Sequence, residues 1–447
     1  MKGINKRGIA CFAAISIVAL SACTGGGAST DSPKQEGQPV RVSDAKLEAA
    51  ELLVLSRVAS ITQEEFERTM AAPIRAKYPH YKLNYIIEGK DTNIEKLMVA
   101  GTAPDITITS LAGLHTALMP RSLEYDLTDL IKKYNYDMNR IEPSLIESLK
   151  NATSKGGIYG LPKYTNTVVM FYNKDIFNRF GVPFPKDGMT WEEVTRLAAS
   201  LTRNEGGMQY RGLSMFLSNM LLENQLSLPL LDPKEDKSSV NVPGFQKLFQ
   251  TYKAIYDIPG NKPEGDITPD KELTSFHKDK NVAMVLSPMS GFGRFESDPE
   301  LNWDIVAAPT FPDAQGMGYQ ANGIYYFVSN ANKKAEQAFQ VAAELLSDEV
   351  QLQASKEGRP TVLKDEKIHA SLGSDHRLFK DKHFKSIFYN KFAAAPPANA
   401  NLAPLVNASS ILQTEFFTMI KNGTDINTAL RQADEKINQA IVTAKNK

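Results

Sequence analysis

The chain has 447 residues, of which 51 are basic and 51 acidic, with 42% hydrophobic residues and only two cysteines. That length is more than one hydrophobic core usually serves, so two domains are expected. The charge balance leaves no basic footprint for nucleic acid and no polybasic patch for anionic lipid.

The N-terminus MKGINKR carries Lys2, Lys6 and Arg7, and the apolar run Gly8 to Leu20 is too short to span a bilayer but suits the core of an export signal. It closes on Leu20-Ser21-Ala22-Cys23, which resembles the lipobox of bacterial lipoproteins and implies that Cys23 becomes the lipidated first residue. The plainer alternative is a signal peptide with an incidental cysteine. Cys11 lies within the segment to be removed, so no disulfide is expected. Cleavage after residue 22 takes 51 basic against 51 acidic side chains to 48 against 51, a net charge near −3. Residues 23–43 are rich in Gly, Ser, Thr and Pro without apolar periodicity, and read as a flexible tether reaching about 25 Å.

The folded part opens with alternating patterns. ELLVL reads as a strand, TQEEFERTMAAPIRAKY as one amphipathic helix with Phe66, Met70 and Ile74 on a stripe, and YKLNYII as a strand. A short helix over Ile94 to Val99 and a strand over Ile106 to Thr109 complete β-α-β-α-β. This α/β order predicts a mostly parallel sheet with helices on both faces and a ligand beyond the carboxyl ends of the strands. GGIYGLPKYTN (156–166) reads as a turn with Tyr159, Tyr164, Thr165 and Asn166 on it, leading into a strand over Thr167 to Tyr172. Thr190 and Glu193 have capping-box spacing, and Trp191 between them is assigned to the core. NVAMVL, NWDIVAA and YYFVS are strands, NKKAEQAFQVAAELL is a helix, and Ile426, Leu430, Ala433, Ile437 and Ile441 form the stripe of a final docking helix.

With these motifs in order, the chain resembles the extracellular solute-binding proteins, family 1, the sugar receptors of ABC importers that include maltose-binding protein. The motifs are APDI (103–106), DLTDLI (126–131), IYGLPKYTNTVVMFYNKDIF, TWEEV, HKDKNVAMVLSPM (277–289), AAPTFPD (307–313) and YYFVSNANKKAEQAF (325–339). The resemblance implies a two-lobed periplasmic-binding-protein type II fold, each lobe a mixed, mostly parallel sheet flanked by helices, closing about a hinge. The implied partition is 44–164 and 309–362 in lobe 1, and 165–308 and 363–447 in lobe 2. The implied crossings lie near Tyr164 to Val168, Ala308 to Phe311 and Pro360 to Leu363. A monomeric receptor on the extracytoplasmic face of the cell membrane, passing a carbohydrate to ABC permease subunits, would follow.

Sugar sites need aromatics for stacking and polar side chains for hydrogen bonds. By the resemblance Asn166 occupies the position where maltose-binding protein carries an acidic sugar ligand; the alternative is a turn residue bonding its own backbone. Tyr164 stands on the same crossing. Arg57 and Ser60 follow the first strand, and Ser110 ends the APDITIT strand. Ser290 holds the matched position of a family stacking aromatic, with Phe292 offset from it. Gln320 and Asn322 lie in GYQANG, and Glu223 is a weaker candidate. Arg57 would suit a carboxylated sugar if it faces the cleft.

No cofactor is expected. GLSMF lacks the second glycine of a nucleophile elbow, and GFG at 291–293 is no phosphate loop. His369, His376 and His383 are seven apart with Gly373, Ser374 and Asp375 between them, so no metal site is expected either. Besides the sugar receptor, two readings stand: the same fold binding an oligopeptide or polyamine, and an extracytoplasmic glycan hydrolase.

Overall fold

In the computed structural model residues 41–153, 156–295 and 298–446 are described; the segments expected to be the export signal, the lipidated Cys23 and most of the tether lie outside them. The strands are β1 (Ala50–Ser56), β2 (Tyr81–Ile87), β3 (Ile106–Thr109), β4 (Gly160–Asn166), β5 (Val168–Asn173), β6 (Arg203–Glu205), β7 (Met208–Met215), β8 (Val282–Pro288), β9 (Trp303–Ala307), β10 (Met317–Gln320), β11 (Asn322–Val328) and β12 (Lys391–Ala393). Two five-stranded sheets organise them. The first has the order β2-β1-β3-β11-β4 and the second β6-β7-β8-β5-β9, while β10 and β12 pair separately.

In the first sheet β1 runs parallel to β2 and β3, as the alternating pattern requires, and β11 returns antiparallel between β3 and β4. In the second, β7 and β8 are parallel and β5 runs against both β8 and β9. The branched run of β5 is buried on both faces: Val168, Met170 and Tyr172 enter one core, Val169 and Phe171 the other. The first sheet has its own core, from Leu52 and Val54 to Phe339 and Leu346. The molecule therefore has two lobes, each a mixed sheet with helices packed on it.

Local chemistry sets the element ends. Thr190 and Glu193 make the reciprocal capping box of the helix Trp191–Leu201, and Trp191, 2% exposed, donates from Nε1 to Gln225 at 3.0 Å. Asn173 caps the helix Lys174–Phe180 by accepting from the backbone of Asp175 and Ile176. The final helix, Ile426–Lys445, buries Leu430, Ala433, Ile437 and Ile441 in the second lobe. Among the described residues no helix is long and apolar enough to cross a membrane.

Four expectations are corrected. The helix read over TQEEFERTMAAPIRAKY is broken into Gln63–Phe66, a π-helical Glu67–Ala71 and Ala72–Lys77. Pro73 explains this: it has no N–H for the turn before it, and its ring needs a wider turn. Residues 160–166, read as a turn, form β4. Its proline is tolerated because β4 is the edge of the sheet, where a missing N–H breaks no ladder. Finally, Phe311 and Tyr319 belong to the second lobe's core and Tyr325 to the first, so the return crossing lies at Ala321 rather than at Ala308 to Phe311. Similarly, Ile368 is in the first core and Leu372 in the second lobe's, which moves the last crossing beyond Pro360 to Leu363.

Candidate functional site

The register brings the carboxyl ends of both sheets to one junction. β4 ends at Asn166 and β5 begins at Val168, so a single residue, Thr167, joins the lobes. Beside it Ala321 alone separates β10 from β11, and Thr167 Oγ1 donates to the Gln320 carbonyl at 3.2 Å. Asn322 faces Asn166 across the β11–β4 ladder. From the second lobe come the residues after β7 and β8, whose Met215 and Leu286 are paired in parallel.

These placements gather five of the expected residues into one polar row. Asn166 spends its amide on Ser290, which follows β8: Nδ2 donates to Ser290 Oγ at 3.2 Å and Oδ1 accepts from Ser290 N at 3.2 Å. Asn322 Nδ2 donates to Glu223 Oε1 at 2.6 Å, and Asn219 Nδ2 donates to the same oxygen at 3.2 Å. Glu223 is 5% exposed, and its Oε2 has no hydrogen-bond partner among the described residues. Burial raises its carboxyl to about 7, against the two amide donors that act the other way. Gln320 is buried as well, donating from Nε2 to the Asn224 carbonyl at 3.0 Å and from its backbone N to the Glu223 carbonyl at 3.0 Å.

Tyr164 is half-buried on β4, with Lys163 Nζ 5.3 Å from its ring centre; burial pushes its phenol up to about 12. Arg57 and Ser110 stand at the carboxyl ends of β1 and β3, but both are occupied. Arg57 Nε donates to Glu88 Oε2 at 2.8 Å, just past β2, and each side chain is about a quarter exposed. The guanidinium intended for a carboxylated sugar thus has an anion already. Ser110 caps the next helix by accepting from Gly113 N at 3.4 Å, and a Cβ on Gly113 would fall onto Thr109 Oγ1. Ser60 is exposed in the turn after β1.

Phe292 does not stack in the cleft. It is 8% exposed and packs edge-to-face on Phe379, ring centres 4.6 Å apart, and on Phe384 at 6.1 Å. The segment Met289–Arg294 turns as a 3-10 helix, whose three-residue period sends Phe292 inward with Met289 and leaves Ser290 outside.

Sequence reasoning did not single out Glu88, Asn219 or Leu222. Leu222, which ends the helix Leu217–Leu222 beside Glu223, is 48% exposed and offers an apolar surface next to the polar row. The row holds amides, one hydroxyl and one carboxyl, groups that give and take hydrogen bonds. Among the described residues no group of three His, Cys, Asp or Glu is placed to hold a metal ion. A cavity of about 500 Å³ opens at the opposite, amino-terminal end of β1, lined by Leu53, Ile86, Asp105, Asn332 and others. There Asp105 is fully engaged, accepting from Leu53 N at 2.8 Å and Asn332 Nδ2 at 3.0 Å.

Comparison with known proteins agrees with the two-lobed fold. A binding protein of Brucella abortus (strain 2308) is 23% identical over 300 residues, covering 65% of this chain and 70% of the relative. The arabinooligosaccharide-binding protein of Bacillus subtilis (strain 168) is 26% identical over 261 residues, 55% of this chain and 57% of that protein. Among solved structures, a sugar-binding protein from the phytopathogen Xanthomonas citri superposes with a TM-score of 0.67 at 16% identity, covering 89% of this chain and 98% of that one, which shows the shared fold. Residues 60–352 match the family model described as bacterial extracellular solute-binding protein. With two lobes meeting at their strand ends and that match over most of its length, the chain belongs to the bacterial extracellular solute-binding proteins.

Proposed function

We propose that this protein is a monomeric receptor that captures a carbohydrate, an oligosaccharide, between its lobes and delivers it to the permease subunits of an ABC importer. Held at the extracytoplasmic face of the cell membrane by a lipid on Cys23, it binds its ligand and leaves it chemically unchanged. The observation that carries this reading is the row Asn166, Ser290, Asn322 and Glu223 at the lobe junction. Neutral amides and a hydroxyl with exposed Leu222 beside them suit a ligand that presents hydroxyls on apolar C–H faces. The arabinooligosaccharide-binding relative supports the same class.

Glu223 favours a second reading, since its oxygen, with no hydrogen-bond partner and no cation beside it among the described residues, would also accept an ammonium group. A thermal-shift screen separates the two, using arabinotriose, maltotriose, spermidine and a tetrapeptide. A ligand present at a hundred times its Kd stabilises the native state by roughly 2.7 kcal/mol. The sugars are expected to raise Tm; a shift with spermidine or the peptide alone would replace the carbohydrate with a cationic or peptide solute.

A further inference from the structure

The bond between Glu223 and Asn322 crosses from one lobe to the other, and its chemistry constrains both partners. When ionised, Glu223 only accepts hydrogen bonds, so in that form the 2.6 Å contact is made by the Asn322 NH2 group. That fixes the amide: Nδ2 points at Glu223, and Oδ1 is left on the half-exposed side with no partner among the described residues. Glu223 is itself held rigidly. Asn219 donates to the same oxygen, and β10 grips its main chain through Gln320 N.

We infer that Glu223 is a positioning residue, which orients Asn322 so that its carbonyl oxygen is presented to the ligand as a fixed acceptor for a hydroxyl hydrogen. This rests on the carbohydrate reading above and specifies what that site asks of the sugar: a hydroxyl able to donate at the hinge, next to the Asn166–Ser290 bridge. An analogue with that hydroxyl methylated or absent would leave a desolvated acceptor unpaired.

The arrangement carries a pH dependence. The groups that face Glu223 are Asn219 from the helix Leu217–Leu222, Asn322 from β11 and the Gln320 main chain from β10, and none of them is charged. With no charged neighbour to oppose it, burial raises the carboxyl to about 7 against the two amide donors alone. The ionised form grips the amide through a charge-assisted bond, about twice as strong as one to a neutral acid. Affinity is thus expected to rise as pH rises through about 7.

The test is calorimetric titration of the intact protein with arabinotriose and with maltotriose between about pH 5.5 and about pH 8.5, with Kd expected to tighten about five-fold across that range. Glu223→Gln keeps a neutral acceptor for Asn322 but cannot ionise, so at every pH it should show the weaker affinity of the wild type near about pH 5.5, with a flat profile. Glu223→Leu should bind at least about ten-fold more weakly at every pH. A flat wild-type profile, a sloped profile in Glu223→Gln, or wild-type affinity in Glu223→Leu each overturns the inference and leaves the carbohydrate reading standing. If neither sugar binds while spermidine or the tetrapeptide does, the carbohydrate reading falls and takes this inference with it.

Discussion

Asn166 sits at the edge of the first sheet with both ends of its amide bonded to Ser290, so its removal deletes a bridge between lobes rather than a piece of either core. Asn166→Ala is therefore expected to weaken sugar binding by about 1–3 kcal/mol while fold stability changes little. Calorimetry beside a thermal melt checks this, and unchanged affinity in a folded variant would remove Asn166 from the site. Lys163, three residues earlier, is the opposite case. It is 8% exposed, lies over the rings of Tyr164 and Tyr326 at 5.3 and 5.9 Å, and has no carboxylate within ion-pair distance among the described residues. Burial lowers its ammonium to about 8 from 10.5, so between those values the unfolded chain holds more protons than the native one. The penalty is full below about 8 and fades as pH rises towards 10.5. Lys163→Met should stabilise the protein at neutral pH by on the order of 2 kcal/mol, a gain that shrinks in alkali. Denaturant unfolding at two pH values measures it, and a destabilised or pH-indifferent variant would show that Lys163 is held by bonds rather than strained by burial.

Elements were legible where local chemistry decides them. The spacing of Thr190 and Glu193 announced a helix start, and the structure has the complete capping box; Thr190→Ala should cost about 1 kcal/mol in a thermal melt, with no change in binding. The strands β1, β2, β3 and β5 were readable from branched apolar runs. β4 was not, because Gly160 and Pro162 look like a turn and only the tertiary fact of an edge position admits them. Of the candidate site residues, Asn166, Ser290, Glu223, Gln320 and Asn322 converge although up to 156 residues separate them in sequence, from 166 to 322. Glu88 was invisible as the neutraliser of Arg57, since nothing local marks a pair 31 residues apart. Phe292 shows a finer limit, in that the three-residue period of one 3-10 turn decides between core and cleft. Phe292→Ala should cost about 3–5 kcal/mol of stability with sugar affinity of the folded fraction unchanged. A loss of affinity at full stability would return Phe292 to the site.

For the whole molecule, capture between lobes means that the ligand favours the closed state by its extra affinity for it. Small-angle scattering should give a smaller radius of gyration with arabinotriose or maltotriose than without, provided the screen shows binding; an unchanged radius at saturation would oppose closure. Cys23→Ala should move the protein from the membrane fraction to the soluble one, because multiple acyl chains anchor firmly where one does not. Retention of the variant on the membrane would require another anchor. Two of the three crossings between the lobes, at Thr167 and Ala321, are one residue long, lie side by side and are hydrogen-bonded through Thr167 Oγ1 and Gln320 O at 3.2 Å. Two such short links define a single axis, and points near an axis travel little while the far rims sweep widely. The row at Asn166 and Asn322 lies beside both links, so closure about them should leave it in nearly the same form whether the lobes are apart or together. A sugar can therefore be met there first, by a surface already formed, and enclosed afterwards by the distant rims. Substitutions in the row should then slow arrival, whereas substitutions on the rims should hasten departure, a division that stopped-flow traces would resolve into separate rate constants.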